Sequence, residues 1–261
     1  MLEKAVRNGS GRKLLSVYMM PGFPHKDSAL RILTAAEKAG VDFVELGVPF
    51  SDPLADGPVI QRAAQVAITN GVTPSAILSM VKEFRRNSEL PIILMGYVNS
   101  FLNGIGKNFA TRLRDAGVDG VIIPDLSYEE SRDVREEIEK AGLSIVLLVA
   151  PTSGADRIAR LDEATTDFSY CVSVTGVTGA RKNLVSDEVK SFLRLVGKAA
   201  RKPFVVGFGI STPEAAYEIS RYANGIVVGS AFLQAISDAP KGGEAEKAST
   251  FLKGLRTAID K

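Results

Sequence analysis

The tetrapeptide Ala39-Gly40-Val41-Asp42 returns in the same sequence as Ala116-Gly117-Val118-Asp119. Each copy lies between an amphipathic segment that predicts a helix and an apolar run that predicts a strand. Similar turns at equivalent places indicate a chain built from repeated quarter or half units. This repetition favours a closed barrel over a doubly wound open sheet, an alternative that the number of strands alone leaves open.

Around these turns, short apolar runs alternate with longer segments whose apolar residues are spaced by three and four. Near-continuous apolar runs are typical of parallel strands that helices cover on the outside. The predicted strands are Leu14–Met20, Phe43–Val48, Pro91–Tyr97, Gly120–Asp125, Ser144–Ala150, Asp167–Val174, Pro203–Gly209 and Gly225–Ser230. Eight strand–helix units predict a single (β/α)₈ TIM barrel, with residues 1–261 forming one domain.

Composition limits the partners of this protein. The chain has 45% hydrophobic and 24% charged residues, as in ordinary globular proteins. A net charge of +2 without a basic patch argues against nucleic acid, and no apolar stretch reaches membrane-spanning length. One cysteine, Cys171, and one histidine, His25, argue against a disulfide or a metal site. We therefore expect a cytoplasmic protein.

The segment from Glu45 to Pro58 carries the strongest chemical signal. Glu45 lies inside an apolar strand, so its carboxyl must point into the barrel or its mouth. Burying an ionised carboxylate costs roughly several kcal/mol unless it is paired, and an unpaired one therefore tends to stay protonated. Either Glu45 bonds backbone amides as a core acid, or its pKa is raised and it exchanges protons with a substrate.

The loop that follows this strand contains two further carboxylates. In Pro- and Gly-rich loops, aspartate commonly bonds its own backbone, and Asp52 could do so with the turn at Ser51. Asp56 lies 11 positions beyond Glu45, far enough for a closing loop to bring it opposite that acid. We expect Asp56, in a solvated loop, to be the reacting group. His25 is expected to cap or begin the first helix after strand one.

Glycines at the ends of strands seven and eight predict an anion site. Phe208-Gly209 and Gly229-Ser230 let backbone amides approach a ligand, and a helix beginning at Ser230 would point free N–H groups at it. The loops after these two strands commonly hold phosphate in such barrels. A third turn, Gly176 to Gly179, follows strand six and could complete the site.

With these residues in view, the chain resembles the tryptophan synthase alpha subunit family from about Leu14 to the last helix. The stretch Glu45-Leu46-Gly47-Val48-Pro49-Phe50-Ser51-Asp52-Pro53-Leu54-Ala55-Asp56-Gly57-Pro58 matches that family's signature almost letter for letter. Further agreement comes at Gly176-Val177-Thr178-Gly179-Ala180, at Gly207-Phe208-Gly209-Ile210-Ser211 and at Gly229-Ser230. The resemblance implies cleavage of indole-3-glycerol phosphate to indole and glyceraldehyde 3-phosphate by a retro-aldol reaction.

The resemblance also implies roles for individual residues. Glu45 and Asp56 would be the catalytic acids, with Tyr170 and Tyr97 facing the substrate. The phosphate would be held by the glycine segments, which contribute Gly179, Phe208, Gly209, Gly229 and Ser230. No cofactor would be needed in this chain. The partner would be a beta subunit carrying pyridoxal phosphate, in an alpha2-beta2 heterotetramer.

The chain departs from the family pattern after strand one. Met20 stands where the family usually has a threonine, which removes a possible hydrogen bond near the site, and Phe23 replaces an aspartate. Three alternatives to a synthase half therefore stay open. They are a stand-alone indole-releasing lyase, a catalytically silent activator subunit, and another phosphate-binding barrel enzyme such as a sugar-phosphate isomerase.

Overall fold

The computed structural model describes residues 2–8, 11–172, 186–207 and 209–261. Within these ranges nine strands form one parallel sheet, in the order β5-β4-β3-β2-β1-β9-β8-β7-β6. The strands are β1 (Leu14–Met19), β2 (Phe43–Gly47), β3 (Ile92–Met95), β4 (Gly120–Ile122), β5 (Ser144–Ile145), β6 (Leu148–Val149), β7 (Ser169–Cys171), β8 (Phe204–Val206) and β9 (Gly225–Val228). Every predicted strand run contains observed strand.

The two ends of this order are halves of one predicted strand, and they close the sheet into a barrel. β5 pairs with β4, and after a gap of two residues β6 pairs with β7. The residues in the gap continue both ladders, since Val146 N–H donates to the Val121 carbonyl and the Leu147 carbonyl accepts from Tyr170 N–H. Consecutive strands are neighbours throughout, so the (β/α)₈ barrel is confirmed and the doubly wound sheet is excluded.

Helices surround the barrel, and several begin or end at residues with a preference for those positions. Thr73 and Thr212 each accept a hydrogen bond from the N–H three residues on, as N-caps followed by proline. Gly117 ends its helix at φ 91°. In the described residues the helices are α1 (Leu2–Asn8), α2 (Ala29–Lys38), α3 (Pro58–Thr69), α4 (Pro74–Phe84), a π-helix (Ser100–Ile105), α5 (Phe109–Ala116), α6 (Arg132–Lys140), α7 (Ala155–Ala164), α8 (Asp187–Ala199), α9 (Pro213–Ser220), α10 (Ser230–Ser237) and α11 (Glu244–Ile259).

The repeated turns of the sequence are the visible part of a fourfold structural repeat. Asp42 donates its N–H to the Leu15 carbonyl, and its carboxylate accepts from the Leu15 N–H at 2.8 Å. Asp119 makes the same two bonds with Ile92. The other two pairs are Thr166 with Ile145 and Asn224 with Phe204. Each such reciprocal pair, called a clasp below, joins the amino ends of two neighbouring strands within one strand–helix–strand unit.

Two apolar cores position the site. The outer one lies between the sheet and the helices. The inner one fills the barrel axis with side chains that alternate along each strand, among them Leu14, Phe43, Ile93, Phe168 and Val205. Leu2 and Val6 of α1 belong to this inner core. The barrel is thus packed with apolar side chains toward the amino ends of its strands, and polar side chains collect at the mouth formed by the carboxyl ends.

Candidate active site

Glu45 points into the barrel from β2, wholly buried above the inner core. Its neighbours in strand register are Tyr18 on β1 and Ile93 on β3. From the far side of the barrel the hydroxyl of Tyr170 donates to Glu45 Oε2 at 3.4 Å, while Oε1 has no hydrogen-bond partner among the described residues. Burial raises the pKa of Glu45 to about 8, and the Tyr170 bond opposes that rise. Glu45 is therefore an uncompensated acid rather than one satisfied by backbone amides.

Asp56 lies in the loop between β2 and α3, and Tyr97 at the end of β3 holds it there. The Tyr97 hydroxyl donates to Asp56 Oδ2 at 3.1 Å and accepts from the Ala55 N–H at 2.9 Å. The ring of Phe50 stacks on that of Tyr97 with centroids 5.2 Å apart. Partial burial raises the pKa of Asp56 to about 6, and the Tyr97 hydrogen bond opposes that rise. Of the two acids, Glu45 is thus the one whose pKa is raised further.

Two other candidates do not join this cluster. Asp52 is exposed and accepts a 2.5 Å hydrogen bond from the Ser51 hydroxyl, as a residue that stabilises its own turn. The His25 ring lies 3.5 Å from the buried Glu244 carboxylate at the start of α11, rather than capping α2 as expected. The contacts of Asp52 and His25 therefore indicate structural roles for both residues.

Two glycines make room for the tyrosines at the mouth. A Cβ added to Gly207 would lie 2.0 Å from the Tyr170 hydroxyl, and one on Gly47 would lie 2.2 Å from that of Tyr18. Met20 also packs over Gly47. Tyr18 was absent from the sequence prediction because it lies in an apolar run, where a tyrosine is usually a core aromatic. Strand register was the missing signal, since it places Tyr18 directly beside Glu45.

The glycines expected to bind an anion flank the same mouth on the neighbouring strands β8 and β9. Gly209 has φ 65°, a conformation that side chains with a Cβ rarely adopt. Gly229 precedes Ser230, the first residue of α10, and no side chain of the described ranges caps that helix. Its first N–H groups are therefore available to a ligand. Gly179 and Phe208 lie outside the described residues.

A cavity of about 310 Å³ opens on the β4 side of the acids. Its walls combine apolar side chains that follow β4 or lie around the start of β6, among them Ile123, Pro124, Val146 and Leu148, with the charged Asp125 and Arg157. Asp125 borders the cavity and accepts from the Val98 N–H, beside Tyr97. Asp125 thus joins the rim of the cavity to the residue that follows Tyr97.

The described ranges contain no group of three or more acidic, histidine or cysteine side chains that could hold a metal ion. In the same ranges no helix combines the length and the apolar character needed to cross a bilayer.

The barrel and the acids at its mouth define a (β/α)₈-barrel enzyme, and its relatives make it a carbon–carbon lyase. The chain belongs to the tryptophan synthase alpha chain family, whose model matches residues 5–259. Members of this family cleave indole-3-glycerol phosphate to indole and glyceraldehyde 3-phosphate, and they need no cofactor of their own. The resemblance stated from the sequence is confirmed.

Individual relatives match over nearly their whole length. The tryptophan synthase alpha chain of Dehalococcoides mccartyi is 44% identical over 249 residues, covering 95% of this chain and 96% of its own. The structure of the alpha subunit from Legionella pneumophila superposes with a TM-score of 0.91 at 34% identity, over 99% and 98% of the two chains. A chain in the Pyrococcus furiosus tryptophan synthase complex superposes with a TM-score of 0.85 at 32% identity, covering 94% of this chain and 98% of its own. The family works with a beta subunit.

Proposed function

We propose that Glu45 and Asp56 are the catalytic acids with which this chain cleaves indole-3-glycerol phosphate. The observation that carries this assignment is the pair of carboxyls at one barrel mouth with different pKa values, about 8 for Glu45 and about 6 for Asp56. At neutral pH the first is mainly protonated and the second mainly ionised. Two acids in different environments can thus take opposite roles in one reaction.

The reaction needs two proton transfers. The protonated Glu45 gives its proton to ring carbon C3, and the ring nitrogen becomes positively charged. The ionised Asp56 accepts the hydrogen bond of the ring N–H and stabilises that charge. Glu45, now a carboxylate, removes the proton from the hydroxyl on the carbon attached to C3. The bond between that carbon and C3 breaks, its electron pair returns to the ring, and the hydroxyl oxygen becomes the aldehyde oxygen.

The substrate is held at both ends. Gly209, Gly229 and Ser230 would bind the phosphate through backbone N–H groups, supported by the uncapped start of α10. The cavity at the end of β4, whose walls include Ile123, Val146 and Leu148, would take the indole ring. Tyr170 holds the Glu45 carboxyl between the two ends. By family resemblance, Gly179 and Phe208 would complete the phosphate site.

The beta subunit would complete an alpha2-beta2 heterotetramer and carry pyridoxal phosphate for the use of indole. The loop that holds Asp56 supports docking at the barrel mouth, because Leu54 at its tip is 94% exposed. Residues 1–261 would form one domain, since α1 packs into the inner core and α11 packs on α2 and α9. The reaction class and the single cysteine support a place in the cytoplasm.

Steady-state cleavage of indole-3-glycerol phosphate by the purified chain, with and without a beta subunit, tests the assignment. Glu45→Gln and Asp56→Asn should each lower kcat by about 10²–10⁴, with much smaller effects on KM. Asp52→Asn is the matched control and should be milder. Near wild-type turnover of Glu45→Gln would overturn the assignment, as would a larger loss in Asp52→Asn than in Asp56→Asn. A wild-type chain that releases no indole under either condition would instead be a silent activator subunit.

A further inference from the structure

Three tyrosine hydroxyls surround the acids, and one of them has no assigned task. Tyr170 donates to Glu45 and Tyr97 donates to Asp56. Tyr18 is the third, 6% exposed, on the strand next to Glu45 and in direct register with it. Its hydroxyl lies over the backbone of Gly47, where any Cβ would collide with it.

The Tyr18 hydroxyl lies within electrostatic range of both acids. Burial raises its pKa well above the ordinary value, and the charges of Asp56 and then Glu45 raise it further. The phenol therefore stays protonated and can only act as a neutral donor or acceptor. No hydrogen bond of this hydroxyl is present in the described part of the chain. A neutral donor beside the two acids thus remains available to a ligand.

We propose that Tyr18 is a further catalytic residue, whose hydroxyl donates a hydrogen bond to the substrate oxygen that becomes the aldehyde oxygen. This inference rests on the proposed function, in which Glu45 removes the proton from that oxygen. Tyr18 is the neighbour of Glu45 on β1, so an oxygen held on that side of Glu45 would lie beside the phenol. Negative charge grows on the oxygen as its proton leaves, and a prepositioned neutral donor stabilises that charge. Tyr18 keeps its own proton throughout.

Tyr18→Phe tests this role because it removes the hydroxyl and keeps the ring. One donor to a developing oxyanion is worth about 10²–10³ in kcat, so a loss of that order is expected with little change in KM. The matched control is Ser16→Ala, which removes a buried, unpartnered hydroxyl from the same strand two residues earlier. This control should keep wild-type turnover. Because the lost hydroxyl bonds nothing among the residues that the structure describes, the Tm of Tyr18→Phe should not fall.

Product binding gives a second readout. Calorimetry with glyceraldehyde 3-phosphate, whose aldehyde oxygen would accept the bond, should show about 3–10-fold weaker binding to Tyr18→Phe, as expected for one neutral hydrogen bond. Binding of inorganic phosphate should stay unchanged. Wild-type kcat in Tyr18→Phe, or equal weakening for both ligands, would overturn the role of Tyr18.

A pH profile separates direct contact with the substrate from an action through Glu45. Tyr170→Phe should move the pH dependence of kcat upward, because it removes the hydrogen bond that opposes the raised pKa of Glu45. Tyr18→Phe should lower kcat at every pH without shifting the pH dependence of kcat. The same shift in both variants would make Tyr18 a positioning residue and overturn the proposal. Failure of the proposed function would show differently, as persistent turnover in Glu45→Gln.

Discussion

The raised pKa of Glu45 predicts that this acid destabilises the fold. The carboxyl has a pKa of about 8 in the folded chain against an ordinary value of 4.5. Between these values the native state keeps a proton that the unfolded state has released, so stability falls as pH rises. The slope is about 1.4 kcal/mol per pH unit, and from the ordinary pKa to pH 7 the loss sums to roughly 3 kcal/mol.

Glu45→Gln removes this titration while keeping the shape of the side chain. We expect the free energy of unfolding of Glu45→Gln to exceed that of the wild type by an amount that grows with pH through this window, reaching roughly 3 kcal/mol at pH 7. Reversible urea denaturation of both proteins at several pH values from about 5 to 8 measures it. Asp52→Asn, which removes an exposed carboxylate nearby, is the matched control. A difference between Glu45→Gln and wild type that did not change with pH would refute the reasoning.

Three further predictions concern the mouth of the barrel. Gly207→Ala should lower kcat strongly while circular dichroism stays native, since its Cβ would lie 2.0 Å from the Tyr170 hydroxyl and displace it. Gly209→Val should raise KM sharply, because it puts a β-branched residue at φ 65° in the proposed phosphate site; an unchanged KM would contradict that site. Tyr97→Phe should raise the pKa of Asp56 above about 6, because the lost hydrogen bond lowers it. The acidic limb of kcat/KM should then move to higher pH, and a limb that stayed in place would contradict the link between Tyr97 and Asp56.

The barrel could be predicted because parallel strands buried on both faces leave near-continuous apolar runs, and because the repeated Ala-Gly-Val-Asp turn favours a closed barrel over an open sheet. The interruption of the fifth strand could not be predicted from the sequence. Ile145 and Leu148 are equally apolar, and what separates β5 from β6 is a change of hydrogen-bonding neighbour that only closure of the sheet imposes. The helix α3 was not singled out either. Its start at Pro58 lies inside the segment that was interpreted for its chemistry.

The candidate site was predictable to the extent that its residues contradict their surroundings. Glu45 stands out as a charge in an apolar strand, whereas Asp56 was preferred over Asp52 from its place in the loop, and the family resemblance implied the same choice. The partial burial of Asp56 was missed because it comes from contacts with Tyr97, which is distant in sequence. Tyr18 was missed because a tyrosine is an ordinary residue in an apolar strand. Only the pairing of β1 with β2, which places Tyr18 beside Glu45, indicates a role for it.

The four clasps carry a consequence for how this chain can be divided. Each clasp lies wholly within one of the segments 15–42, 92–119, 145–166 and 204–224. Gly142, exposed and at φ 74°, falls between the second segment and the third. A chain cut there yields two half-barrels that each retain two complete clasps. Such halves, produced as separate polypeptides, should reassociate into a working barrel, because each carries its own strand-pairing contacts at the amino ends.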